Sequence, residues 1–189
     1  MTRTRLAPDV RRDQILEAAA RLVADDGLAA ATVEEIARRA EVSKGLVYAY
    51  FDGRDALLGE VLQREQALLR ERGMAAALQA ASFAQLIEGT TRLWLEHARD
   101  RGALIATLTA FQGAGATDER DRTLRFFVRA VRREYGLGLA PAITAVDLLM
   151  ALTDQAGRRV AAGQDTVEAA TLACVALITG GLGRLSTTG

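Results

Sequence analysis

The chain has one cysteine and one histidine among its 189 residues. A lone Cys174 cannot close an intramolecular disulfide or build a cysteine metal cluster, and His97 alone removes most histidine-rich metal sites. Lysine is almost missing: Lys44 stands against 23 arginines. The first twelve residues carry four arginines and no apolar run, so nothing there resembles a secretion signal, and the cytoplasm is the expected compartment. No alternation of apolar and polar residues lasts long enough to make a strand. Enzymatic signatures are missing as well: no Gly-x-Ser-x-Gly elbow, no phosphate loop and no pair of metal ligands on one helix. Gly113-Ala114-Gly115 follows a helical pattern rather than a strand, which does not support a dinucleotide site. No enzyme activity, cofactor or metal is expected. Basic and acidic residues balance at 24 each, which argues against a wholly basic nucleic-acid coat but leaves room for a local patch.

Half of the residues are hydrophobic and a quarter charged, so the chain has the composition of a folded protein. Only Pro8 and Pro141 interrupt a dominant helical period. Ile15, Leu16, Ala19, Leu22 and Val23 form one stripe on a helix over about 9–26, with Gly27 at its end. Thr32 and Glu35 read as a capping box before Val33, Ile36, Ala37 and Ala40. A further short helix begins at Ser43, and Asp52 can cap a fourth, over about 54–72. Five more are expected over about 83–100, 103–111, 118–134, 141–162 and 165–184, with breaks at Gly102, Gly113-Ala114-Gly115, Gly136-Leu137-Gly138 and Gly163. The expectation is an all-α chain of about nine helices and no sheet.

Most of the functional information lies between Thr32 and Arg54. Two short helices joined by a tight turn have the proportions of a helix-turn-helix, whose second helix enters the major groove of DNA. Val47 and Phe51 are four residues apart and can pin that helix to a core, leaving Lys44, Gly45, Leu46, Tyr48 and Tyr50 for the outer face. Gly45 costs a helix about 1 kcal/mol relative to alanine. Its presence suggests close approach of something to the backbone, or a frayed first turn.

Over residues 12–58 the chain resembles the N-terminal domain of the TetR family of bacterial transcription regulators. The matching elements are Arg12-x-x-Ile15-Leu16-x-Ala18-Ala19-x-x-Leu22, Gly27 and Thr32-Val33-x-x-Ile36-Ala37, followed by Val42-Ser43-x-Gly45-x-x-Tyr48-x-Tyr50-Phe51 and Arg54-x-x-Leu57-Leu58. The resemblance implies a three-helix DNA-binding domain at 1–58 and a helical ligand-binding and dimerisation domain at 59–189. It implies phosphate contacts at Thr32 and Tyr50, a phosphate clamp at the amide end of the helix starting near Arg54, and base-facing positions at Lys44, Gly45, Leu46 and Tyr48. Leu46 stands where the family often has threonine; it can touch a thymine methyl but cannot donate a hydrogen bond. Ala49 is small where a larger ring is common.

Charge supports this only through its distribution. Residues 1–60 carry nine basic and eleven acidic groups, a net of −2. Arg3, Arg5, Arg11 and Arg12 precede the first helix, where they can follow the DNA backbone or enter the minor groove, and Arg12 is counted among the DNA contacts. Arg38, Arg39, Lys44 and Arg54 surround the motif, and counterion release needs cations only at the contact surface.

In the C-terminal part, Trp94, His97, Phe111, Phe126, Phe127 and Met150 are candidates for a ligand pocket between helices, against the plainer reading that they are core. Five arginines between Arg122 and Arg133 read as a solvated face balanced by Asp118, Glu119, Asp121 and Glu134. Asp154 and Arg158, four apart, read as an exposed helix pair. The last helix is apolar around most of its surface but shorter than a bilayer span, so a partner subunit is its expected cover rather than a membrane. With the helix at 141–162 it would form the four-helix dimer bundle that the family uses.

Two functions follow from this. The first is a dimeric repressor of a near-palindromic double-stranded DNA operator, released by an unidentified small molecule and coupled by a swing of the helix at 54–72. The second is a helical small-molecule-binding or interaction protein whose motif no longer reads DNA, which the acidic N-terminal segment and Leu46 would suit.

Overall fold

A computed structural model describes residues 7–112 and 117–186. Among them are eight α-helices and no strand. They are α1 (Pro8–Asp26), α2 (Val33–Arg39), α3 (Lys44–Tyr50), α4 (Arg54–Gln79), α5 (Phe83–Gln112), α6 (Thr117–Tyr135), α7 (Leu139–Ala161) and α8 (Val167–Ser186). A single 3₁₀ turn, Leu28–Ala30, connects α1 to α2.

The expected ninth helix is absent because Gly102 does not break α5. A glycine weakens a helix without stopping it unless the backbone takes a positive φ, and Gly102 does not. A Cβ built on Gly102 would meet the Ala161 Cβ at 3.6 Å, an ordinary packing contact, so the position does not require a glycine. Gly73 is likewise carried inside α4, which therefore runs on to Gln79. The expected break at Gly113-Ala114-Gly115 falls outside the described residues. Gly136 and Gly163 take positive φ and end α6 and α7 as expected.

The helices form two compact units, residues 1–66 with 103–113, and residues 67–102 with 114–189. The core of the first gathers Ile15, Leu22, Ile36, Val47, Leu57, Leu58 and Val61, all within 1% of full burial, with Leu104 and Leu108 from the end of α5. Each such side chain gains about 1.5–3 kcal/mol from leaving water, which is what holds helices as short as α2 and α3 in place. In the second unit Phe83, Leu86 and Ile87 of α5 pack with Val128 and Val131 of α6, Ala142 and Val146 of α7, and Cys174, Ile178 and Leu182 of α8. Leu95, Val160, Val167 and Ala170 make a smaller cluster in the same unit.

The helix α8 has the 20 residues expected of it, but its apolar stretch is longer than expected. Its 20 residues have a mean hydropathy of 1.4 over the most apolar window, so by length and composition it could cross a bilayer. Only 28% of that window is buried within the chain, on the side carrying Cys174, Ile178 and Leu182.

Candidate nucleic-acid interface

Two caps shape the motif. Thr32 Oγ1 accepts the Glu35 N–H at 3.2 Å and starts α2; Ser43 Oγ accepts the Leu46 N–H at 3.2 Å and starts α3. The capping box is half formed, since the Glu35 carboxylate turns to Arg38, at 2.5 and 2.8 Å, instead of reaching back to the Thr32 amide. Between the two helices Glu41 holds φ at +54°, and the Val42 N–H bonds to the Ala37 carbonyl at 3.0 Å. This closes α2 in the manner usually reserved for glycine and turns the chain sharply into α3. At the start of α4 the Leu57 N–H bonds to the Gly53 carbonyl, which puts Gly53, at φ +110°, in the capping place expected for Asp52.

Three side chains then hold the backbone at the edges of the motif. Gln14 of α1 donates to the Ala40 carbonyl at 2.7 Å, at the end of α2. Arg12 donates to the Tyr50 carbonyl at 3.0 Å, at the end of α3, and pairs with Glu60 of α4 at 2.5 and 2.6 Å. Its guanidinium also lies 4.7 Å from the centre of the Phe51 ring. Arg54 donates to the carbonyls of Leu28 and Ala31, both at 2.7 Å, and lies 5.3 Å from the Phe111 ring centre. The side chains of Arg12 and Arg54 are thus engaged within the protein.

Three of the five positions expected on the outer face of α3 are exposed, while Tyr50 packs partly on the core. Val47 and Phe51 are buried, whereas Lys44, Gly45 and Tyr48 are exposed, Tyr48 to 53%. Leu46 and Tyr50 are half-buried, and Thr32 is exposed beside them in the chain order of the motif. Nothing lies within 4 Å of a Cβ placed on Gly45, so no neighbour in the protein demands a glycine there.

Among the described residues, Arg38, Arg39 and Lys44 beside this face are each paired with a carboxylate. The Lys44 ammonium bonds to the Glu34 carboxylate of α2 and lies 5.8 Å from the Tyr48 ring centre. Arg39 pairs with Asp26 and, at 3.2 Å, with Asp25. The hydrogen bond from Lys44 holds the Glu34 carboxyl below its ordinary range and raises the Lys44 ammonium above its own; Arg38 lowers Glu35 in the same way. Arg3 and Arg5 lie outside the described residues. Sequence reasoning did not find Gln14, Glu34 or Glu60, whose partners are 26, 10 and 48 residues away.

The pocket candidates are distributed rather than gathered. Phe111 belongs to the first unit, beside Arg54. In the second unit the Trp94 N–H donates to the Thr153 carbonyl at 3.3 Å, and the ring is so close to Gly157 that a Cβ there would meet Nε1 at 3.1 Å. His97 is buried with its ring centre 6.5 Å from that of Trp94. Phe126 and Phe127 meet edge to face at 5.2 Å, and with Met150 they pack on the larger core. Asp154 does not use Arg158; it pairs at 3.1 Å with Arg120 of α6, which also holds Asp147 at 2.9 Å. The short reach of a guanidinium fork across two facing helices wins over the pairing along one helix, and Arg158 turns to Gln155.

Comparison with known proteins places this geometry. The family model for bacterial regulatory proteins of the tetR family matches residues 15–61, from the middle of α1 to the first turns of α4. The chain is 30% identical to the HTH-type transcriptional regulator BetI of Rhizobium meliloti over 139 residues, covering 73% of this chain and 68% of that one. It is 41% identical to the HTH-type transcriptional repressor KstR2 of Mycolicibacterium smegmatis over 56 residues, which cover 30% of this chain and 27% of the relative. Its fold matches the crystal structure of a transcriptional regulator from Pseudomonas aeruginosa with a TM-score of 0.78 over 98% of this chain and 96% of the other, at 22% identity. The helix-turn-helix built by α2 and α3, the all-helical remainder and these likenesses agree: the chain belongs to the TetR family of bacterial transcription regulators.

Proposed function

We propose that the protein is a homodimeric, ligand-responsive repressor that reads a near-palindromic operator with α3. The observation that carries the reading is the two-sidedness of α3: Val47 and Phe51 anchor it, and Lys44, Gly45 and Tyr48 face outward. On this reading residues 1–58 are the DNA-binding domain and 59–189 the ligand-binding and dimerisation domain. Lys44, Gly45, Leu46 and Tyr48 meet base edges, and Thr32, Tyr50 and the amide end of α4 at Arg54 meet phosphates. Arg12 supports the surface by holding the end of α3.

Dimerisation through α7 and α8 is supported by apolar side chains left exposed there. Leu172 and Leu177 of α8 are 73% and 60% exposed, with Ala173, Ala176, Gly180 and Gly181 on the same side, and Ile143 and Leu148 of α7 are exposed as well. Such a strip is costly in water and suits a second copy related by a two-fold axis. Two recognition helices would then meet major grooves about one turn, ~34–36 Å, apart. An effector among the C-terminal helices would release DNA by binding better to a dimer with another separation, since equal affinity for both shapes shifts nothing. The helix α4 is the proposed coupling element, because its residues belong to both compact units. The protein would act in the cytoplasm, where its DNA is.

The test is gel retardation with the DNA flanking the protein's own coding region, titrated with salt. Specific retardation that weakens steeply with salt is expected. Absence of any retardation at low salt would favour instead a helical small-molecule-binding protein that no longer reads DNA, a reading that the pairing of Arg38, Arg39 and Lys44 with carboxylates would suit.

A further inference from the structure

The chain's lone lysine stands in the first turn of α3, on the exposed face, and it is not left to the solvent. Glu34, exposed in the first turn of α2, reaches across the turn to bond the Lys44 ammonium, while the Tyr48 ring lies against the same cation. Elsewhere on this face Glu35 takes Arg38, so the acid beside Glu34 is already engaged and does not compete for Lys44. A carboxylate at this place does two things to an approaching duplex. It occupies the ammonium that would otherwise neutralise a phosphate, and it repels the phosphate itself.

We propose that Glu34 is an attenuating residue of the DNA-binding face: it holds Lys44 back from phosphate contact and opposes an approaching backbone, which lowers the sequence-independent part of the affinity. Any contact that Lys44 makes to DNA must first give up this carboxylate, so part of the gain from neutralising a phosphate is lost. The inference rests on the DNA-binding reading above and assigns Glu34 a part in it.

The test is a double-mutant cycle of Glu34→Gln and Lys44→Met, with binding measured to a random-sequence duplex and to a duplex that the parent chain recovers from a random pool. Both side chains are exposed, so the folded state is expected to persist, and far-UV circular dichroism checks it. For the random duplex, Glu34→Gln should tighten binding by about 1.5- to 5-fold through the freed lysine, the range set by exposed ion pairs. The slope of log affinity against log salt should steepen by about 0.9, one further phosphate contact. In the Lys44→Met background the gain should shrink to the part due to repulsion alone. An equal gain with and without Lys44, or no gain at all, overturns the role of Glu34 while leaving the DNA-binding reading intact. A parent chain that binds neither duplex at low salt overturns both.

Discussion

Replacing Arg12 by alanine separates two roles that a basic residue beside a DNA-binding motif can have. In the structure its guanidinium is engaged within the protein: one nitrogen on the Tyr50 carbonyl at 3.0 Å, another on Glu60, and the plane 4.7 Å from the Phe51 ring centre. A hydrogen bond from a charged donor contributes about 1.5–3 kcal/mol. The cation–ring contact adds about 0.5–1 kcal/mol, and the half-exposed pair with Glu60 no more than about 1 kcal/mol. Against these stands up to about 2 kcal/mol of side-chain entropy lost in ordering an arginine. The net expectation is a loss of about 1.5 kcal/mol of stability in Arg12→Ala. With a urea slope of about 2 kcal/mol per molar, the unfolding midpoint falls by about 0.75 M. Arg12→Lys should recover little of this, since an ammonium lacks the fork that serves three partners at once. Glu60→Gln sharpens the distinction. If Arg12 positions α3, removing the Glu60 charge costs about 0.5 kcal/mol and leaves DNA affinity nearly unchanged. If Arg12 is instead a phosphate contact held in reserve, Glu60→Gln frees it and tightens DNA binding. A midpoint for Arg12→Ala equal to that of the parent, with a salt slope smaller by about 0.9, would refute the positioning role.

Other expectations follow from single positions. Glu41 holds φ at +54°, where a side chain costs about 1–2 kcal/mol. Glu41→Gly should therefore raise stability by about 0.5 kcal/mol in urea unfolding, after the greater freedom of glycine in the unfolded chain is subtracted; a destabilised variant would show that Glu41's own contacts outweigh its backbone strain. Gly45→Ala meets no neighbour within the protein and should stabilise α3 by up to about 1 kcal/mol. The same change should weaken DNA binding if α3 lies close against a groove, and unchanged DNA affinity would remove Gly45 from the contact surface. Replacing both Leu172 and Leu177 by glutamate places charges on the exposed strip of α8. Sedimentation should then report a monomer that keeps the helical content of the parent, and a persisting dimer would locate the interface elsewhere.

The helix-turn-helix was legible because its determinants are local. Thr32 and Ser43 sit in sequence where their hydroxyls cap α2 and α3, and the spacing of Val47 and Phe51 puts both on one face. Each of these signals is complete within four residues. The turn between them was less legible, since a glutamate in a left-handed conformation has no sequence mark, and its cause lies in the carbonyl and packing partners of α2. Glycine misled at Gly102, which weakens a helix without ending it because its backbone stays helical. The polar clamps escaped for a different reason. Arg12 with Glu60, Gln14 with the Ala40 carbonyl, and Arg120 across Asp147 and Asp154 depend on which helices face each other, and a one-chain periodicity does not encode that. Phe111 shows the same limit: its helical spacing suits the other aromatic residues, but it lies in the first unit, against Arg54.

The most direct measurement of the central claim is a hydroxyl-radical footprint of the parent chain on a duplex recovered from a random pool, run beside Tyr48→Ala. The predicted result is two protected half-sites related by a dyad, with centres about one helical turn, ~34–36 Å, apart, and protection lost in Tyr48→Ala. A single unpaired patch of protection, or a pattern that Tyr48→Ala leaves unchanged, would contradict recognition of the operator by paired α3 helices.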